Sequence, residues 1–171
     1  MNCCATDLQA RRGHGPAIPL ACDGLPGYRG GVSDDPIPYV LEEQYGYQLR
    51  RAVQRYQAIF ARLLPEVTTM QFASLVRLDQ MGPLSQNLLG REASMDAATV
   101  KGVVRRLEAL GYVRRTADPG DKRRMTVEIT EQGRALVRRL YAPAEEAMVV
   151  ALAPLNAAEQ ATLMALLSRL T

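Results

Sequence analysis

The sequence has no tryptophan, and only 5% of its 171 residues are aromatic. That scarcity argues against a protein that stacks sugar rings on aromatic side chains. The single histidine, His14, and all three cysteines, Cys3, Cys4 and Cys22, lie in the first 22 residues. Residues 38–171 therefore have neither residue type and no glycine-rich phosphate-binding loop, so we expect no enzyme.

The three cysteines also do not form a usual framework. Their odd number argues against a closed set of disulfides, and their spacing matches no common zinc motif. We therefore expect no metal site and no cofactor. No apolar run approaches the roughly 20 residues that span a bilayer. The N-terminus also lacks the basic-then-apolar order of a secretory signal, so we expect a cytoplasmic protein that does not enter a membrane.

The first 36 residues differ in composition from the rest of the chain. They contain six glycines and four prolines with no sustained apolar period, which predicts an irregular N-terminal arm. Beyond them the pattern turns helical. We predict dimerisation helices over residues 37–64 and 131–171, and a DNA-binding domain over residues 68–130 between them.

Apolar residues at three- and four-residue steps predict a long first helix from Ile37 that ends before Pro65. Its apolar stripe consists of Leu41, Tyr45, Leu49, Ala52, Tyr56, Ile59, Phe60 and Leu63. Thr68 or Thr69 is placed to cap a second helix, and Gly82 to end it. Near the C-terminus, Thr130 and Asn156 are placed to cap two more helices. The last of these has an apolar face of Leu163, Leu166, Leu167 and Leu170.

The segment between them predicts a winged helix-turn-helix. Ser85 opens a short helix, a tight turn follows, and Asp96 caps a longer helix that ends at Gly111. The predicted buried stripe of that longer helix is Val100, Val103, Val104, Leu107 and Leu110. The stretches "YVRRTA" and "RRMTVEIT" flank "DPGDK", which indicates a β-hairpin. In the second strand, Met125, Val127 and Ile129 alternate with polar residues. The fold class is therefore mainly α with a small β-hairpin wing.

Positive charge is concentrated in this segment. Residues 96–124 contain eight Lys or Arg and four acidic residues, a local net charge of +4, whereas the whole chain carries +3. A local basic footprint on a helix-turn-helix indicates double-stranded DNA as the partner. The predicted DNA-binding residues are Ser85, Asp96, Ala97, Ala98, Thr99, Lys101, Gly102, Arg105, Arg115, Asp118, Asp121, Lys122, Arg123 and Arg124.

Two aspartates stand among the five basic residues of "RRTADPGDKRR", where they oppose DNA binding. We interpret both as scaffold. Asp118, before a Pro-Gly pair, is suited to accept backbone N–H groups of a tight turn. Asp121 lies two residues before Arg123, where its carboxylate is able to fix the direction of the guanidinium group toward a narrow minor groove.

Residues 38–171 resemble the MarR family of winged-helix regulators. Asp118, Asp121 and Arg123 match the family's wing-tip Asp…Asp-x-Arg signature. "ITEQGRAL" matches the Leu-Thr-x-x-Gly start of its fifth helix, with Ile129 in the Leu position. The resemblance implies a homodimer that is built from the terminal helices and binds a pseudo-palindromic operator. The apolar stripes of those helices support a homodimer independently of the resemblance, because a monomer would leave these stripes partly exposed.

"LRRAVQRYQAIF" before "SQNLLGR" resembles more narrowly the branch of this family that controls breakdown of aromatic acids such as nicotinate. It implies a repressor released by a small aromatic carboxylate, with a hydroxynicotinate as the favoured effector. Tyr56 stands where that branch often has a His, so the resemblance gives the class of effector and not the exact compound. The predicted ligand-binding residues are Arg50, Arg51, Gln54, Tyr56, Phe60, Met70, Phe72 and His14. The alternative is a redox- or metal-responsive regulator that uses Cys3, Cys4, Cys22 or His14.

Overall fold

A computed structural model describes residues 39–117 and 125–170 of the protein. All of these residues except Tyr39 belong to one compact unit, Val40–Thr171. The predicted arm over residues 1–36 and the wing tip over residues 118–124 lie outside the described residues. The described elements are a 3₁₀ turn, Leu41–Glu43, then α1 Tyr45–Leu63, α2 Thr69–Met81, β1 Leu84–Ser85, α3 Gln86–Glu92, α4 Ala97–Ala109, β2 Val113–Ala117, β3 Met125–Ile129, α5 Glu131–Leu152 and α6 Ala157–Ser168.

Among the described residues there are six α-helices, and five of them begin at a side chain that caps the backbone N–H three residues later, as the sequence predicts. This local bond replaces a helical hydrogen bond that the first turn lacks. For α2 and α6 the bond is reciprocal and forms a capping box. The capping residues are Thr68, Ser85, Asp96, Thr130 and Asn156.

The first helix begins later than the sequence predicts. The backbone is extended at Gln44, with φ −79° and ψ 124°, so the 3₁₀ turn and α1 are separate elements. The N-terminal part of the predicted apolar stripe is also not buried, since Tyr45 is 80% exposed. Only the C-terminal part reaches the core, where Phe60 is buried and Tyr56, Ile59 and Leu63 pack against it.

The wing is larger than the predicted hairpin. Three antiparallel strands lie in the order β1-β3-β2, with Leu84 opposite Val127 and Val113 opposite Ile129. The two-residue strand β1, directly before α3, was not predicted. It joins the wing to the helix-turn-helix, because its Ser85 also caps α3.

The predicted alternation in β3 is only partly correct. Val127 and Ile129 are buried, but Met125 is exposed and its polar neighbour Thr126 is 6% exposed. Burial of Thr126 is possible because its hydroxyl lies 3.0 Å from the hydroxyl of Thr116 on the facing strand. Paired hydroxyls thus replace an apolar contact at that position.

The core lies between the helix-turn-helix and the first half of α5, and it includes Leu75, Leu89, Val104 and Val137. In contrast, no residue of α6 is buried in the single chain. Within residues 39–117 and 125–170, no single helix is long and apolar enough to cross a membrane. The pair α5 and α6, bent by 103°, passes that test of length and composition only when the two are combined.

Candidate nucleic-acid interface and effector cavity

Helix α4 is fixed at its N-terminus by Asp96. The carboxylate accepts a hydrogen bond of 2.7 Å from the backbone N–H of Thr99. This bond is the main reason that the pKa of Asp96 lies below its usual value. The side chain of Asp96, like that of Ser85 directly before α3, is thus occupied by helix capping. Both residues were predicted to bind DNA, and the structure gives both side chains a positioning role.

Close packing of α3 against α4 sets the angle of the helix-turn-helix. A Cβ atom at Gly90 would lie 3.2 Å from Cγ1 of Val100 and 3.3 Å from the carbonyl oxygen of Met95. The turn between the helices also contains Ser94 with φ 52°, in the left-handed region that non-glycine residues seldom adopt. A small residue in α3 therefore allows α4 to approach closely.

The face of α4 away from the core has small and cationic residues. Gly102 has no atom within 4 Å of a Cβ built on it, so this position is open to a partner. Thr99 is half-buried at the edge of the face. The other residues predicted for DNA on this helix are exposed: Ala97, Ala98, Lys101, Gly102 and Arg105.

Two arginines at the base of the wing have carboxylate partners. Arg114 donates through Nε and one terminal nitrogen to Glu128 on β3, at 3.0 and 2.9 Å. Arg115, predicted to bind DNA, lies 3.3 Å from Glu108 on α4. Glu108 therefore links the wing to the recognition helix. The other predicted wing residues, Asp118, Asp121, Lys122, Arg123 and Arg124, lie outside the described residues.

The aromatic residues predicted for a ligand form a chain of ring contacts. The ring centroids of Tyr56 and Phe60 lie 5.8 Å apart, those of Phe60 and Phe72 lie 5.7 Å apart, and Tyr141 continues the chain at 6.4 Å. Burial raises the pKa of Tyr56 above its usual value. The hydroxyl of Tyr141 donates to Asp79 at 3.3 Å. This cluster joins α1, α2 and α5.

The two arginines predicted to bind the effector carboxylate lie elsewhere on α1. Arg50 and Arg51 are exposed, and their guanidinium carbons lie 5.3 and 5.7 Å from the ring centre of Tyr47. Gln54 is also exposed. In the described chain these three residues are not brought together with Phe60 and Met70, because they lie nearer the N-terminal end of the helix.

A cavity of about 700 Å³ opens between the C-terminal end of α1, the α1–α2 loop, the start of α2 and the C-terminal end of α4. Of the predicted ligand residues, Phe60 and Met70 line the cavity. Tyr56 and Phe72 are not among its lining residues, and their rings contact the ring of Phe60. Leu110, predicted to be buried, is 39% exposed because it borders this cavity at the end of α4.

The cavity has one arginine and one carboxylate in its lining, Arg106 and Glu66. Glu66 is paired with Arg139 of α5 at 2.8 Å. In the part of the chain that the structure describes, Arg106 has no such carboxylate partner. Sequence reasoning missed Arg106, although a signal was available. It lies three residues after Val103 and four before Leu110, so all three share one side of the helix.

Within residues 39–117 and 125–170 there is no cluster of three or more His, Cys, Asp or Glu side chains suited to a metal ion. The residues predicted for the metal- or redox-responsive alternative, Cys3, Cys4, Cys22 and His14, lie outside the described residues.

The fold and the exposed basic helix define a winged helix-turn-helix protein. Residues 67–125 match the profile of the MarR family. The HTH-type transcriptional repressor NicR of Pseudomonas putida is 38% identical over 138 residues, which cover 80% of this chain and 87% of NicR. A probable transcriptional regulator from Pseudomonas aeruginosa, known from its crystal structure, is 49% identical with a TM-score of 0.75. That match covers 77% of this chain and 100% of the other.

A third relative is Bordetella bronchiseptica BpsR, whose DNA binding is regulated by 6-hydroxynicotinic acid. It is 37% identical with a TM-score of 0.74, and the match covers 78% of this chain and 96% of that chain. The chain therefore belongs to the MarR family. It is a transcriptional repressor of the nicotinate and aromatic-acid branch and not an enzyme, as the sequence predicts.

Proposed function

We propose that the protein binds a pseudo-palindromic operator as a homodimer, with one α4 in each of two successive major grooves. The observation that carries this proposal is the exposed face of α4. It combines a glycine at the centre, Gly102, with Lys101 and Arg105 beside it. A helix of 13 residues is about 20 Å long and fits a major groove. Small side chains allow a close approach to base edges, and the two cations reach phosphate or guanine.

The second copy is proposed to cover the apolar surface of α1, α5 and α6. Tyr45 of α1 is 80% exposed, Val149 of α5 69% and Leu166 of α6 51% in the single chain. Surfaces of this kind are typical of subunit interfaces. Two linked recognition helices also read two half-sites together, which explains why a repressor of this size would act as a dimer.

The effector is proposed to be a small aromatic carboxylate, with a hydroxynicotinate as the favoured candidate. Arg106 supports this class, since a guanidinium fork suits a carboxylate and Glu66 is already paired with Arg139. Phe60 and Met70 supply apolar lining for a ring. The ligand of BpsR supports the choice of 6-hydroxynicotinate as the first compound to test.

Release of DNA follows if the effector binds better to a spacing of the two α4 helices that does not fit the operator. The cavity is suited to this role because one wall belongs to α4 and the opposite wall to α1 and α2. Changing a mostly bound population to a mostly released one requires a preference of roughly 10²–10⁴-fold for the released state. One charge-assisted contact supplies about 1.5–3 kcal/mol and ring contacts about 0.5–1.5 kcal/mol more. Two sites per dimer reach the required preference when these contacts are made only in the released state.

Adjacent arginines on α4 allow a matched test. DNA binding is measured by fluorescence anisotropy with labelled operator, and effector binding by calorimetry without DNA. We expect Arg105→Gln to weaken DNA binding at least tenfold, and Arg106→Gln to weaken 6-hydroxynicotinate binding at least tenfold. Nicotinamide, which lacks the carboxylate charge, should not release DNA.

The same assay tests the sequence-based prediction that Arg50 or Arg51 binds the carboxylate of the effector. If Arg50→Gln or Arg51→Gln reduces effector binding while Arg106→Gln does not, the carboxylate is bound on α1 and the cavity assignment is wrong. If no aromatic acid releases DNA at millimolar concentration, the proposed effector class is wrong. A salt titration on random duplex DNA separates a DNA-binding role of α4 from a role in protein contact alone.

A further inference from the structure

Gln71 is the one side chain with an amide among the buried residues of the described chain, and it lines the cavity. It is 8% exposed. The other two buried polar residues are satisfied within the protein. The hydroxyl of Ser74 donates to the carbonyl of Met70 at 2.9 Å, and Thr126 is paired with Thr116. Gln71 has only half of its amide occupied.

The capping box of α2 fixes which half of the amide is free. The backbone N–H of Thr68 donates to Oε1 of Gln71 at 2.8 Å, and the backbone N–H of Gln71 donates to the hydroxyl of Thr68 at 3.2 Å. A backbone N–H is always a donor, so the atom that it contacts must be the amide oxygen. The amino group, Nε2, is therefore the free end, and it carries two donors.

Nε2 makes no hydrogen bond within residues 39–117 and 125–170. In that part of the chain, every side-chain nitrogen or oxygen atom that is fully buried has a hydrogen-bond partner. Nε2 must therefore keep some accessible surface, and the open space that Gln71 borders is the cavity. An unpartnered donor on a side chain that its own capping bond orients, and that is 8% exposed as a whole, is what a site needs to recognise an acceptor on a ligand.

We propose that Gln71 selects the effector by donating a hydrogen bond to an oxygen on its ring. This inference rests on the proposed effector function and adds the reason for a hydroxylated ring. Arg106 takes the carboxylate, so a second acceptor on the ring is available to Gln71. Nicotinate has no ring oxygen, and its only ring acceptor is the pyridine nitrogen at a different position, so the donor loses its oxygen partner after water is displaced, which lowers affinity. The site thus distinguishes 6-hydroxynicotinate from nicotinate.

Gln71→Glu tests this directly, because a glutamate keeps the acceptor of the capping box and removes the donor. The dissociation constants of 6-hydroxynicotinate and nicotinate are measured by calorimetry for each variant. In the wild type, we expect 6-hydroxynicotinate to bind more tightly. In Gln71→Glu that preference should fall roughly tenfold, which is the loss of about one hydrogen bond. Repulsion between the new charge and the carboxylates affects both acids and cancels in the ratio.

Gln57→Glu is the matched control, because it introduces the same charge into the same cavity from an exposed residue of α1. It should weaken both acids alike and leave their ratio unchanged. A ratio that changes equally in Gln57→Glu and Gln71→Glu, or in neither, overturns the role of Gln71. Wild-type protein that binds neither acid overturns the proposed effector and this inference together. Wild-type binding with an unchanged ratio in Gln71→Glu overturns the inference alone.

Discussion

Replacing Gly133 with alanine should damage the junction between the wing and α5. Gly133 is the third residue of α5 and is buried. A Cβ atom there would overlap the carbonyl oxygen of Tyr112 and lie 2.8 Å from Cγ1 of Ile129. The first contact is with backbone, so a rotamer change cannot relieve it. Either α5 or the start of β2 must move.

The movement has a further cost, because the same carbonyl accepts a hydrogen bond of 3.0 Å from the backbone N–H of Thr130. Overpacking of this kind costs about 1–3 kcal/mol, and loss of one hydrogen bond adds about 0.5–1.5 kcal/mol. Alanine recovers at most about 1 kcal/mol through helix propensity. The net loss of stability should therefore be about 0.5–4.5 kcal/mol, or a fall in Tm of roughly 1–18 °C.

Gly102→Ala is the matched control on α4, since no atom lies within 4 Å of its added Cβ. It should raise stability by up to about 1 kcal/mol, and should weaken operator binding if the helix backbone approaches the bases. Urea denaturation at one fixed protomer concentration measures both variants. A Gly133→Ala protein as stable as wild type would show that the wing and α5 tolerate separation, and would refute the reasoning.

Further predictions concern the wing, the dimer and the cap of α4. Arg123→Ala should weaken operator binding by about 1–3 kcal/mol, measured by fluorescence anisotropy, and leave the fold intact. Asp121→Ala should also weaken operator binding. If Asp121→Ala binds the operator more tightly at low salt, Asp121 does not orient Arg123. Deleting residues 157–171 should abolish the dimer in sedimentation and with it operator binding; a monomer with undiminished affinity contradicts this. The pKa of Asp96 is lower in the folded protein than in the unfolded chain. Its cap therefore contributes its full stability to the folded protein above the pKa that Asp96 has in the unfolded chain. That stability is lost as the pH falls through the pKa that Asp96 has in the folded protein. Asp96→Ala should therefore lower Tm at pH 7 and have little effect near pH 2; an equal decrease at both pH values argues against the cap.

Local sequence specifies where most of the described helices begin and end. Asp96, Thr130 and Asn156 were each predicted to cap a helix, Thr68 was one of two candidates for the cap of α2, and Ser85 was predicted to open α3. Gly111 adopts φ 76° at the end of α4 as expected. These features depend on hydrogen bonds and backbone strain within about four residues of the chain. All the groups that form these hydrogen bonds lie within a few residues of one another in the sequence. The ends of the helices can therefore be predicted without knowing which other elements pack against them.

The tertiary structure alone decided which side chains share the cavity. Leu110 was predicted to be buried and Arg106 was not singled out, yet both border the space beside Gln71 and Glu66, some forty residues earlier in the chain. Arg50 and Arg51, chosen for their charge, contact Tyr47 on the exposed side of α1 instead. Periodicity gives the face of a helix but not the depth at which a neighbouring helix crosses it. That depth depends on long-range packing, which no local pattern contains.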